Sequence, residues 1–373
     1  MKKNFLFKFS AIAMSLILIA CGGSTSEDVV ETETTAIESE ESLNVVVTTP
    51  MLGEFVKQVA GDSVVLNILM PAEANPHTYD PSPQDAAKIA DADIVFYVGI
   101  KYETSSLLKL IENTASTNAT LLEIGEEIDP IEFKDGEHDH GNHDDHDEEG
   151  HDDEDGHDDH DEEGHDDDKD HDHDDEDGHD DHDEEGHEGH EGHDHGSEDP
   201  HFWFDPVRVA MAVEVIKDSL VSLDPANTST YEANADNFIS ELTDLDAQVK
   251  ALIESVSEDN RKIVTTHEAL GYLEARYGIE VFATIIPSLS TADEISPSQI
   301  ADVIDVIEDN NIKVLFVESE APSVYAETVA AEAGITAVTG LYVETLKDGQ
   351  TYSDFLISNV TLIVESLNSA GEG

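Results

Sequence analysis

Residues 135–199 hold 36 Asp or Glu and one Lys, with no Val, Ile, Leu, Phe, Tyr, Trp, Met or Ala. A stretch without apolar side chains has nothing to bury against the entropy of ordering, so disorder is expected there. Any fold must come from the flanking residues, about 308 of the 373, which is enough for two domains. The stretch carries −35, half of the chain's formal −70. A chain this acidic would repel phosphates, which excludes a nucleic-acid binder working through a basic surface.

The N-terminus reads as an address. Lys2, Lys3 and Lys8 precede an apolar run from Ala11 to Ala20 that stops at Cys21, the only cysteine. This is the pattern of a secretory signal, too short to serve as a stable membrane span. Leu18-Ile19-Ala20-Cys21 resembles a bacterial lipobox, which implies a signal peptide over 1–20 and a lipidated Cys21 as first mature residue. One cysteine permits no internal disulfide. Residues 21–42, rich in Ser, Thr and Glu, then form a solvated tether to the membrane.

Elsewhere β-branched runs alternate with helical patterns. Leu43–Thr49, Val64–Met70, Asp93–Gly99 and Thr120–Ile124 are strand candidates before the acidic stretch; Lys262–Thr266, Val281–Ile285, Val314–Val317 and Ala337–Thr339 follow it. Ile300, Val303, Ile304 and Ile307 fall at i, i+3, i+4 and i+7, giving that helix one apolar face, with Ser296 as N-cap and Pro297 in its first turn. Such alternation implies an α/β fold of two lobes, each with a mainly parallel sheet flanked by helices. Between the two sets, Asn227–Val256 has neither Gly nor Pro, and Tyr231, Phe238, Leu242, Leu245, Val249 and Leu252 keep helical spacing. We expect one rigid helix of roughly 45 Å. The expected divisions are an N-terminal lobe at 43–225, carrying the acidic loop, a linker helix at 226–257 and a C-terminal lobe at 258–373.

Of 19 histidines, 16 lie in the acidic stretch, leaving His77, His201 and His267. His77 sits in the Pro-bounded loop Asn75–Pro81, and His201 at the return from the acidic stretch. His267 follows a strand and is expected to begin a helix running to Tyr277. Ligands in open α/β sheets gather beyond the carboxyl ends of strands, where two of these residues stand. A lone histidine there is usually a satisfied polar group; three, with none elsewhere in the folded part, point to a metal. Neutral imidazole suits zinc, copper, iron and nickel. Zinc takes four ligands, and with no cysteine in the fold the fourth is a carboxylate, best supplied by Glu344 after the last strand. Three neutral histidines and one carboxylate favour zinc; a second carboxylate would suit manganese better.

NPHTYDPSP, DPHFWFDP, TTHEALGYL and LYVETL, in this order, resemble the motifs of the cluster A-I solute-binding family, the metal-binding lipoproteins and periplasmic receptors of zinc and manganese ABC importers. The resemblance runs from Leu43 to the C-terminus and includes the long helix and the His-rich insertion. It implies ligands at His77, His201, His267 and Glu344, although some zinc members fill the fourth position with water or a loop carboxylate. Manganese members carry Glu in the third motif and usually Asp in the fourth, so this chain is similar to the zinc branch. It also implies a monomeric, extracytoplasmic, lipid-anchored receptor that closes modestly on Zn(II) and hands it to a permease driven by a separate ATPase. No enzyme is expected: there is no GxxxxGKS loop or G-x-S-x-G elbow.

The insertion's histidines are His138, His140, His143, His146, His151, His157, His160, His165, His171, His173, His179, His182, His187, His190, His193 and His195. HDDHDEEGH recurs from His143, His157 and His179, an imperfect duplication lacking the apolar positions of a structural repeat. Imidazoles beside carboxylates would collect divalent ions in weak, exchangeable sites that empty as pH falls. Two alternatives stand beside the zinc receptor: a surface metal-sequestering or adhesion lipoprotein, and a manganese or iron receptor of the same family.

Overall fold

The computed structural model describes residues 42–133, 198–292, 295–321 and 323–371. The expected signal peptide, Cys21, the expected tether up to residue 41 and the sixteen insertion histidines lie outside the described residues.

The N-terminal lobe runs β1 (Leu43–Val47), α1 (Pro50–Ala60), β2 (Val64–Ile68), α2 (Pro83–Ala90), β3 (Ile94–Tyr97), α3 (Ser105–Thr114) and β4 (Thr120–Glu123). Then come α4 (Pro206–Leu223) and α5 (Thr228–Glu254). The C-terminal lobe has β5 (Lys262–His267), α6 (Gly271–Tyr277), β6 (Glu280–Ile286), α7 (Pro297–Asp309), β7 (Val314–Glu318), α8 (Ser323–Ala333), β8 (Thr336–Leu341) and α9 (Tyr352–Gly371). Both sheets are parallel, in the orders β2-β1-β3-β4 and β6-β5-β7-β8. All eight expected strands form. His267 differs from expectation: it is the last residue of β5, and α6 starts only at Gly271.

Successive side chains of a strand face opposite ways, and each sheet uses this to bury both faces. In β1, Val45 and Val47 point into the largest apolar cluster with Phe55 of α1, while Val46 joins Leu107 and Ile111 of α3 on the other side. In β7, Val314 and Phe316 face that same large cluster, and Leu315 and Val317 meet Val303 and Ile307 of α7. Helix starts follow local chemistry. Thr49 caps α1 ahead of Pro50, and capping boxes pair Ser82 with Asp85 in α2 and Ser296 with Gln299 in α7.

Helix α5 has 27 residues, about 40 Å at 1.5 Å per residue. It buries Tyr231, Ala235, Phe238, Leu242, Leu245, Val249 and Ile253, of which Phe238, the two leucines, Val249 and Ile253 contribute roughly 1.5–3 kcal/mol each. Leu252 lies only partly buried beside the cluster; Ile253 takes the inward position. Contacts with α1 and α4 on one side and α9 on the other make α5 a shared wall of both lobes. Thr48, just beyond the carboxyl end of β1, and His267, at the carboxyl end of β5, both lie fully buried.

Candidate metal centre

Each of the three histidines is delivered by a locally specified segment. His77 lies in the short 3-10 turn Pro76–Thr78; Pro76 presets the turn and the Asn75 side chain accepts from the His77 backbone N–H at 2.9 Å. His201 precedes the turn Phe202–Phe204, whose aromatic side chains are fully buried and fasten it to the core. Trp203 Nε1 donates to the carbonyl of Val343 at 2.7 Å, tying the second motif to the fourth. His267 ends the buried strand β5.

The structure brings all four expected residues together. Among the described residues, His77, His201, His267 and Glu344 form the group able to hold a metal ion, each offering an atom within 4.8 Å of the others. Nε2 of His77 lies 3.2 Å from Glu344 Oε1, Nε2 of His267 lies 2.7 Å from the same oxygen, and Nε2 of His201 lies 3.5 Å from Oε2. Zinc–nitrogen and zinc–oxygen bonds of about 2.0–2.2 Å at tetrahedral angles separate neighbouring ligand atoms by about 3.3 Å, which these distances bracket. Glu344, His201 and His267 are fully buried. Nε2 of His201, Nε2 of His267 and Oε2 of Glu344 nonetheless have no hydrogen-bond partner. His267 Nε2 makes no hydrogen bond in spite of the 2.7 Å approach, whereas His77 Nε2 is hydrogen-bonded to Glu344 Oε1 at 3.2 Å. Buried polar atoms left without partners are costly, and a cation among them removes that cost.

Outer carboxylates fix the rings. Asp199 accepts from the His201 backbone N–H at 2.9 Å and from its Nδ1 at 2.8 Å. Glu318, at the end of β7, accepts from the backbone N–H groups of Thr266 and His267, both at 3.1 Å, and from His267 Nδ1. With the proton held at Nδ1, each ring presents the Nε2 lone pair inward. Tyr102 donates to the Glu344 carbonyl at 2.9 Å, and Asn359 brackets Tyr342 by accepting from its N–H and donating to its carbonyl. The turn that delivers Tyr102 is unusual: Gly99, Ile100 and Lys101 all have positive φ. A Cβ at Gly99 would collide with Glu123, while Ile100, a β-branched residue at φ 50°, bears backbone strain beside the site.

The electrostatics follow from four titratable groups sharing a dry space. Burial lowers the His77 imidazole below its ordinary value, Glu344 opposing this only in part. Burial works the same way on His201, but the Glu344 and Asp199 carboxylates together outweigh it and push it up to about 9. At His267 burial is likewise outweighed, by Glu318 and Glu344, and the imidazole is held well above its usual range. Burial alone would raise Glu344; the surrounding histidines reverse this and hold it well below the usual carboxylate range. Without metal the centre is thus a carboxylate beside two imidazoles that favour their protons, His201 and His267, and a third, His77, that favours the neutral form; a divalent cation takes the place of the two protons.

Asp199, Glu318, Tyr102 and Glu320 are contributors that sequence reasoning did not single out. Burial, then the Glu344 charge, pushes Glu320 up to about 8, and one of its carboxylate oxygens is buried without a partner. Asp199 stood inside the quoted second motif, so its position two residues before His201 was a usable signal. Glu318 could be found only through the strand order, because β5 and β7 are neighbours in the sheet but not in the chain.

A family model described as ZnuA, the periplasmic component A of a zinc-uptake complex, matches residues 45–366. The chain belongs to the ZnuA family. Members are receptors and not enzymes, and the chain is an extracytoplasmic, metal-binding substrate-binding protein of an ABC transporter. The manganese-binding lipoprotein MntA of Halalkalibacterium halodurans is 24% identical, with 98% of this chain and 99% of that protein aligned. The zinc-binding lipoprotein AdcA of Streptococcus pneumoniae is 29% identical across 100% of this chain, which spans 62% of AdcA. An iron ABC transporter lipoprotein, MtsA of Streptococcus pyogenes, is 25% identical over 98% of this chain and 99% of its own length. The periplasmic zinc-binding protein TroA of Treponema pallidum shares the fold, with a TM-score of 0.66 at 21% identity over 87% of this chain and 98% of TroA. No helix among the described residues is long and apolar enough to cross a membrane.

Proposed function

We propose that this ZnuA-family protein captures Zn(II) outside the cytoplasmic membrane and passes it to the permease of an ABC importer powered by a separate ATPase. The observation that carries this reading is the convergence of three imidazole Nε2 atoms on one buried carboxylate. Three borderline nitrogen donors with a single oxygen donor suit zinc better than manganese, which favours oxygen-rich sets. His77, His201, His267 and Glu344 are the cargo ligands, leaving the bound dication near +1. Cys21, behind a signal peptide at 1–20, anchors the protein as a lipoprotein through the 21–42 tether. Residues 43–225 and 258–373 act as lobes about the 226–257 helix, and the His-rich insertion is an accessory collector of metal.

The relatives named for manganese and iron keep a second reading in view, a manganese or iron receptor built on the same centre. One experiment addresses both: chelator-competition titrations with Zn(II), Mn(II) and Fe(II) on protein lacking residues 137–197. One tight zinc equivalent with weaker manganese and iron supports the zinc receptor. Tighter manganese or iron favours the second reading, and no tight equivalent of any metal moves surface sequestration by the insertion ahead.

A further inference from the structure

Asn75 does more than cap the His77 turn. Its Oδ1 accepts from the His77 N–H at 2.9 Å, which fixes the amide orientation and turns Nδ2 toward the opposite lobe. There Nδ2 donates to Thr291 Oγ1 at 2.6 Å and to the backbone carbonyl of Glu320 at 3.0 Å. Glu320 in turn accepts from the Val343 N–H through its carboxylate at 3.4 Å, one residue before Glu344. A chain of hydrogen bonds therefore runs from the backbone of one metal ligand in the N-terminal lobe to the neighbour of another in the C-terminal lobe. None of its links passes through the metal.

We propose that Asn75, with Thr291 and Glu320, forms an interlobe latch that positions His77 and slows metal release. Asn75 is a positioning residue, since it acts through His77 and the lobe contact and does not touch the cargo. An open latch swings His77 away from Glu344, so the cation loses one of four ligands before it leaves. A closed latch holds both ligand loops in register, and its two Nδ2 bonds must break before the His77 turn can retreat. The latch thus bears on dissociation and little on capture, because an entering cation meets the lobes before these bonds have formed. The proposal rests on the reading of the four-residue centre as the cargo site.

The test uses the full chain loaded with Zn(II) and mixed with excess chromogenic chelator, the slowest phase reporting the buried centre. Thr291→Val removes an acceptor on the far lobe and leaves the His77 turn intact. We expect release about three- to tenfold faster, the size of one ordinary hydrogen bond, with association changed less than twofold. Asn75→Ala should release at least as fast as Thr291→Val, and the double variant no faster than Asn75→Ala alone. Wild-type release rates in Thr291→Val, or fully additive effects in the double variant, overturn the latch. Should Asn75→Ala fail to fold, Thr291→Val decides the question by itself. A wild-type chain with no slowly released zinc overturns the cargo-site reading instead.

Discussion

The imidazole of His267 is held between two carboxylates, Glu318 at Nδ1 and Glu344 Oε1 at 2.7 Å from Nε2. The first comes from the strand beside its own and the second from the loop after β8, so one ring links orientation to coordination. Glu318→Gln keeps the size and an acceptor for the backbone N–H groups but weakens the bond that fixes the tautomer. Zinc affinity should fall about 10- to 100-fold, as for other partners of metal-bound histidines, with an unchanged far-ultraviolet circular dichroism spectrum. An affinity within twofold of wild type would show that Glu318 is structural only.

His267→Glu replaces a nitrogen donor with a second carboxylate and is expected to shift preference from zinc toward manganese. Competition between the two ions on the variant and the parent measures this. Unchanged selectivity would count against His267 as a ligand.

Proton release should accompany binding. His201 is raised to about 9 and His267 well above its ordinary value, so both hold protons at pH 7, whereas His77 is lowered and does not. In the metal-free protein the raised His201 contributes stability that is full below about 6.5 and fades as pH rises through about 9, and the raised His267 acts in the same direction. Binding has the opposite sign: metal displaces the protons, so affinity strengthens as pH climbs from 7 toward 9. Calorimetry at pH 7 in two buffers of different ionisation enthalpy should report about two protons released per ion. Release of fewer than one proton would contradict this charge state.

Asn359 offers a stability test on the loop that carries Glu344. Its amide accepts from the Tyr342 N–H at 3.1 Å and donates to the Tyr342 carbonyl at 2.6 Å. Asn359→Ala leaves both Tyr342 backbone groups without this partner in a half-buried setting and should cost about 1–3 kcal/mol in urea unfolding of the metal-free protein. Zinc affinity should drop as well, because this clasp sets the approach to Glu344. A loss below about 0.5 kcal/mol would mean the loop holds itself.

How much could be read in advance depended on whether the signal was local. The strands of β1, β5 and β7 announced themselves by runs of Val, Ile and Phe, and α7 by a Ser-Pro start and one apolar face. The three histidines stood out because the folded part has no others, and Glu344 because it follows the last strand. The orientation of the His267 ring was not legible, since Glu318 reaches it across a strand pairing that skips β6. Tyr102 depended on a turn with three successive positive φ values, two of them at Ile100 and Lys101, residues that carry no such signature. Nor could the Asn75 contact with Thr291 be foreseen, 216 positions apart in the chain.

The two flanks of the acidic insertion meet side by side: Glu132 bridges Glu198 in antiparallel fashion, and the Asp199 N–H donates to the Ile131 carbonyl at 3.0 Å. Tyr272 donates to the Asp199 carbonyl, fastening this junction directly behind His201. Entry and exit at adjoining points decouple the length of what lies between from the rest of the molecule. Closure entropy rises only with the logarithm of chain length, so doubling such a segment costs about 0.6 kcal/mol. Gain or loss of units like HDDHDEEGH therefore changes the length of this segment while the centre two residues away keeps its geometry.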